Sequence, residues 1–158
     1  MSSVTGIFRN PVLIAAFFGW FMAQLLKIPI GRYIDKKWNW KRGLSSGGMP
    51  SSHTSAVSAA GTVVGMIHGF DTPLFATIAL FCVVVMYDAT GVRQAAGKHA
   101  KILNEIIAAF QTNEDLPEEK LKEWIGHTAF EVFVGFWLGV LIGFVTAYLS
   151  VYFVKVAA

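Results

Sequence analysis

The sequence predicts an all-α integral membrane protein, a helical bundle of about four transmembrane helices with one or two further amphipathic or cytoplasmic helices, built as a single membrane-embedded domain over residues 1–158. Two observations carry that expectation. Hydrophobic residues make up 54% of the chain and charged ones only 15%, too little charge to cover the surface of a soluble domain of this size. The apolar residues also fall in long blocks divided by short polar stretches, the pattern of spans and loops.

The blocks can be taken in chain order. Residues 1–10 are polar, with Arg9 their only charge. Pro11 to Ile30 is apolar over 20 residues, about 30 Å as a helix, which crosses a bilayer. No small-residue cleavage site follows it, so it reads as a retained span and not a removed signal peptide. Gln24 and Lys27 interrupt it three residues apart and so share a face. Lys27 alone reads as a cation snorkelling to the interface, although polar groups at such depth are functional candidates. Residues 31–45 interleave Arg32, Lys36, Lys37, Lys41 and Arg42 with Trp38 and Trp40. This composition suits contact with anionic membrane lipids, and the flanking spans set nucleic acid aside as a partner.

Ser46-Gly47-Gly48-Met49-Pro50-Ser51-Ser52-His53-Thr54-Ser55 is small, polar and turn-forming. Ser51 or Ser52 can cap the helix that follows. The unpaired amides of that first turn suit an anion, and His53 would stand beside it. A capped turn that happens to contain a histidine is the equal alternative. Thr54 to Phe70 is a helix of small residues able to pack closely, with His68 at its far end as an interface residue. Asp71 or Thr72 caps the third span, Pro73 lies near its first position, and Leu74 to Tyr87 is apolar throughout. Cys82, the single cysteine, lies inside that span as a small buried hydrophobe.

Asp88 and Arg93 follow, five residues apart. Gly97 to Phe110 carries Ile102, Leu103, Ile106, Ile107 and Phe110 at helical spacing, an amphipathic helix on which Lys98, His99 and Lys101 read as a solvated face. Asp115 and Glu118 frame a capping box around Pro117, predicting a short helix from Leu116 to Ile125 that ends at Gly126. His127 opens the last apolar block, which reaches Val156 as one long tilted span. Two short helices folded back at Gly139 or Gly143 are the alternative.

Threading four spans through a bilayer gathers the polar residues. Lys27 ends the first span, His53 starts the second, Asp88 and Arg93 end the third, and His127 starts the fourth, all at one membrane face. Eleven of the thirteen lysines and arginines fall on that side, against Arg9 and Lys155 on the other. The bias predicts a multi-pass protein of the cell membrane with the site face cytoplasmic.

His127 and Glu131 are four apart and stack on one helix face. The carboxylate can hold one ring nitrogen, leave the other free to attack, and stabilise the cation that forms. His53 could protonate a leaving oxygen. Arg93 and Lys27, with the amides near Ser51 and Ser52, would neutralise a phosphoryl group in flight, with Asp88 and Gln24 supporting. Such a set describes a phosphomonoester hydrolase that needs no metal or other cofactor. Two histidines and two acids could instead hold a divalent ion, but a tight pair such as His-x-x-x-His is missing.

Ser46 to Ser55, Tyr87 to Gly97 and Gly126 to Gly139 (GHTAFEVFVGFWLG), with Ala23-Gln24 and Lys27 in the first span, resemble the divergent membrane branch of the type-2 phosphatidic acid phosphatase and vanadium haloperoxidase superfamily. The likeness runs over nearly the whole chain. The superfamily's Pro-Ser-Gly-His motif, which supplies the general acid, maps onto Pro50-Ser51-Ser52-His53, with Ser52 in place of the glycine. Its nucleophilic histidine and following acid map onto His127 and Glu131, with glutamate in place of aspartate. The Ser-Arg pair expected before the nucleophile is replaced by Lys120 and Leu121, and the early Lys…Arg-Pro motif is absent. The resemblance implies a phosphohistidine intermediate and a lipid phosphate substrate. The superfamily's six helices exceed the four spans here, a shortfall that association into a homodimer would make up. Two rival classes are a non-catalytic membrane protein that binds or transports a phosphorylated lipid and, more remotely, a haloperoxidase.

Overall fold

The computed structural model describes residues 4–45, 47–110, 121 and 126–157. They form a bundle of α-helices with two short 3-10 turns, Val4–Arg9 and Trp40–Leu44. The expected helix Leu116–Ile125 and its capping box lie outside the described residues, as does Ser46.

Helix α1 spans Pro11–Asp35. Asn10 caps it, its side chain accepting from the amides of Val12 (2.9 Å) and Leu13 (3.4 Å), and Pro11 takes the first turn, where no amide is needed. It runs five residues beyond the expected span because Gly31-Arg32-Tyr33-Ile34-Asp35 contains no breaker. Lys36 ends it in the left-handed conformation, its amide donating to the Arg32 carbonyl. The start of the basic segment is therefore helical, and Arg32 sits over the Trp38 ring at 4.7 Å.

Helix α2 covers Ser52–His68, with Ser51 as its cap. Thr72 caps α3, Pro73–Thr90, by accepting from Phe75 at 3.3 Å. Gly91 leads straight into α4, Val92–Phe110, which begins five residues before its apolar periodicity does. The last helix, α5, is continuous over Ala129–Ala157 and passes through Gly139 and Gly143 without a break.

Among the described residues three helical stretches are long and apolar enough to cross a membrane, Pro11–Asp35, Pro73–Ala108 and Ala129–Tyr152. Helix α2, with 17 residues, is the fourth member of the bundle and falls short of them in length. It lies at the centre, packed against α1, α3 and α5. Its buried face is made of small and hydroxyl residues, among them Ser55, Ser58, Ala59 and Gly61. Two of its hydroxyls are bonded inside the bundle: Ser55 donates to the Gly19 carbonyl of α1 at 2.8 Å and Ser58 to the Thr54 carbonyl at 2.7 Å. This satisfies polar groups where no water is available.

Close backbone approach makes the packing possible. Ala15, Gly19, Ala23, Lys27 and Gly31 recur every fourth residue as the buried stripe of α1. Gly135, Gly139 and Gly143 do the same on α5, where an added Cβ would fall 2.5 Å or less from backbone oxygens of Ser51, Ser55 and Ala59. The large apolar side chains point outward instead: Leu80 is 68% and Trp137 55% exposed, whereas Ala59 and Val63 are fully buried. Small residues inside and bulky ones outside suit a protein whose solvent is lipid.

Candidate active site

Backbone hydrogen bonds tie the ends of three helices together, and a side-chain bond brings in the fourth. The His127 amide donates to the Ala89 carbonyl at the end of α3 (2.9 Å), and the Ser51 amide at the start of α2 donates to the Glu131 carbonyl of α5 (3.1 Å). Gly126 makes the first tie possible. Its φ of +102° suits glycine, and a side chain there would meet the backbone of Arg93 and Gln94 in α4. From α1, the Lys27 ammonium donates to the Ser45 carbonyl at 2.9 Å and anchors the loop that leads to Ser51.

His127 stands just before α5 and is 3% exposed. Its Nδ1 lies 3.2 Å from Glu131 Oε2, as the four-residue spacing predicts. The same oxygen accepts from the Thr128 amide at 3.0 Å, while the Glu131 amide donates to Thr128 Oγ1 at 3.3 Å. Thr128-x-x-Glu131 is thus a reciprocal capping box. The cap holds the carboxylate in place, and the carboxylate orients the ring. Nε2, on the other side of the imidazole, is buried and has no hydrogen-bond partner among the described residues. With Nδ1–H donating to Glu131, Nε2 carries the lone pair.

The other expected residues surround this pair at different depths. Ser51 caps α2, with its hydroxyl 3.0 Å from that of Thr54. Ser52 is buried in the first turn. By helix geometry the amides of Ser52 and His53 have no intrahelical acceptor. His53 is exposed on that turn and lies in the electrostatic field of Arg93, His127, Lys27 and Asp88. Lys27 is 1% exposed and acts electrostatically on Glu131. Asp88 and Arg93 pair through the guanidinium Nε at 2.5 Å and are largely open to solvent. Gln24, one turn from Lys27, has a buried Oε1 without a partner.

A cleft of about 570 Å³ opens onto His127, Thr128 and Glu131. Its walls carry Asp35 and Arg42, which form an ion pair, the glycines Gly47 and Gly48, and Lys98 and Lys101 of α4. His53, Arg93 and Lys27 stand outside this lining. The cations that face the cleft are therefore ones that sequence reasoning treated as interfacial or solvated. For Lys98 and Lys101 the available signal was their spacing of three, which puts both on one face of α4. Thr128 was legible as a capping box but was passed over.

The chain was compared with known proteins. Residues 8–142 match the family described as "Divergent PAP2 family". The chain is 40% identical over 153 residues to "Uncharacterized membrane protein YuiD" of Bacillus subtilis (strain 168), an alignment that covers 90% of this chain and 97% of that protein. No solved structure matches. With most of its length inside the family match and three helical stretches able to cross a bilayer, this membrane protein belongs to the divergent PAP2 family.

Proposed function

We propose that the protein is a phosphatase that hydrolyses a lipid phosphate monoester or pyrophosphate through a phosphohistidine, without metal, at the cytoplasmic leaflet. The observation that supports this reading best is the state of His127. Glu131 holds its Nδ1, its Nε2 is buried with no hydrogen-bond partner among the described residues, and the Glu131 carbonyl accepts from the Ser51 amide at the start of α2. A ring held in this way is an attacking nitrogen, and the Glu131 carboxylate balances the charge that develops.

In the first step Nε2 bonds to phosphorus as the bond to the lipid oxygen breaks, and His53 gives that oxygen its proton. In the second, His53 takes a proton from water as the water oxygen bonds to phosphorus, the bond from phosphorus to Nε2 breaks, and phosphate leaves with His127 restored. The amides of Ser52 and His53, in the turn whose Thr54 amide Ser51 caps, receive the phosphoryl oxygens. Lys27 and Arg93 supply positive charge, Asp88 holds Arg93, and Gln24 stands behind Lys27. The excess of lysine and arginine at this end supports a cytoplasmic site.

The test is phosphate release by the purified protein in detergent with chelator present. The panel contains phosphatidate, phosphatidylglycerol phosphate and an isoprenyl pyrophosphate. Release from at least one of them is expected, with a fall of several orders of magnitude in His127→Ala. Equal release by both proteins, or none from either across the panel, overturns the catalytic reading. Binding without release would point to a protein that holds or carries a phosphorylated lipid.

A further inference from the structure

Below the site, α3 meets α2 but stands largely away from α5. The gap is a groove of about 720 Å³ that opens sideways between the two helices and is floored by α2. We infer that this groove holds the hydrocarbon chain of the phosphorylated lipid whose headgroup lies at His127 and His53. The inference rests on the reading above and names the part of the substrate that the polar site leaves unaccounted for.

Continuity with the site is the first argument. Val57 and Gly61 of the floor follow His53 at successive four-residue steps, so the face of α2 that carries the histidine becomes the groove. On α3, Met86 of the wall lies two residues before Asp88. A chain attached to a phosphate at the helix start would pass directly onto this floor.

Dimensions are the second. From Val57 to Met66 the floor runs roughly 14 Å, close to the roughly 15 Å of one leaflet's hydrocarbon. The groove is also open on its lipid side, so a polymethylene or isoprenoid chain can lie along its length.

Chemistry is the third. Phe136 and Phe144 of α5 form one wall, and the two floor hydroxyls are turned inward. Ser58 donates to the Thr54 carbonyl, with the Phe136 carbonyl also in reach at 3.1 Å, and Thr62 donates to the Ser58 carbonyl at 2.8 Å. The groove therefore presents an apolar surface throughout.

Gly61 allows a clean test. A Cβ there would have Ile78 Cγ2 as its nearest neighbour, at an ordinary 3.7 Å, so a larger side chain can fill the groove without forcing the helices apart. The full-length His127→Ala protein, which cannot turn over the probe, is placed in phosphatidylcholine nanodiscs. Two probes are photolysed separately, a phosphatidate with a terminal diazirine on one acyl chain and a prenyl diphosphate with a photoreactive tail. At least one is expected to label α2 and α3 along the groove. Unlabelled phosphorylated lipid should compete and the dephosphorylated lipid should not. Gly61→Leu should cut the label roughly tenfold, as expected for displacing about two methylene groups. Ala79→Leu, from the α3 wall, should do the same, which guards against misfolding of either variant.

The inference is overturned if neither probe labels the groove, or if phosphorylated competitors leave the label unchanged. It is equally overturned if both leucine variants label normally, or if the label concentrates in the larger apolar groove of about 1130 Å³ between α1 and α5, which opens by Arg9 at the other end. Competed labelling of the groove by a protein whose wild type releases no phosphate would sustain the groove and sink the enzymatic reading alone.

Discussion

Glu131 has two duties that can be separated at the level of single atoms. Its Oε2 meets both His127 Nδ1 and the Thr128 amide. Glu131→Gln keeps an oxygen for the cap but loses the charge that would stabilise a cationic ring. The expected outcome is a fall in kcat of roughly 10²- to 10⁴-fold, with little change in the melting temperature. Glu131→Ala should lose as much activity and also about 1 kcal/mol of stability, on the scale of a lost cap. Steady-state kinetics and thermal melts in one detergent check both. The pairing of His127 with Glu131 was legible from their four-residue spacing, but it is made at the helix start, where the Thr128 cap turns Glu131 back toward a histidine that precedes α5. The tie between Lys27 and the Ser45 carbonyl was not legible, since a loop's carbonyl direction has no sequence signature. Arg42 and Lys98 at the cleft were missed for the same reason, as a charge on a loop or a surface helix does not announce which element it will face.

At the scale of elements, α2 and α5 depend on glycine for their separation. An added methyl at Gly139 would overlap the Ser58 hydroxyl and the Ser55 carbonyl. Gly139→Ala is expected to destabilise the protein by about 1–3 kcal/mol through overpacking, and Gly61→Ala, whose added methyl makes only an ordinary contact with Ile78, by much less. Comparing their melting temperatures tests the contact; equal stabilities would refute it. The starts of α2 and α3 were read well, since Ser51 and Thr72 compete locally for the first amides. Helix α4 was placed late because its first turn, Val92 to Ala96, precedes the apolar periodicity that marked it. The choice between one and two helices in the last block turned on Gly139 and Gly143. Alone they would weaken a helix, and only the partner helix shows that they are contact points.

At the scale of the molecule, the starts of α2 and α5 and the ends of α1 and α3 meet at one end. Orientation in the cell is a separate matter, and the lysine and arginine bias predicts that this end faces the cytoplasm. With the buried Cys82 replaced by alanine, cysteines are placed one at a time at the exposed positions His99 and Arg9. An impermeant maleimide added to intact cells should label the Arg9 position and spare the His99 position. Labelling at His99 from outside would reverse the assignment.

The sequence by itself determined that the chain is helical and membrane-embedded, that helices begin near Ser51 and Thr72, and that His127 and Glu131 pair, although His127 precedes the helix and does not share a face of it. Each of these follows from composition or from contacts within a few residues along the chain. Tertiary structure alone decided that α2 becomes the buried centre, that Nε2 of His127 is left without a partner among the described residues, that Lys98 and Lys101 face the cleft, and that α3 and α5 part to leave a groove. Those outcomes depend on how closely whole helices approach. That distance is set by side chains meeting across elements far apart in sequence, which no local pattern records.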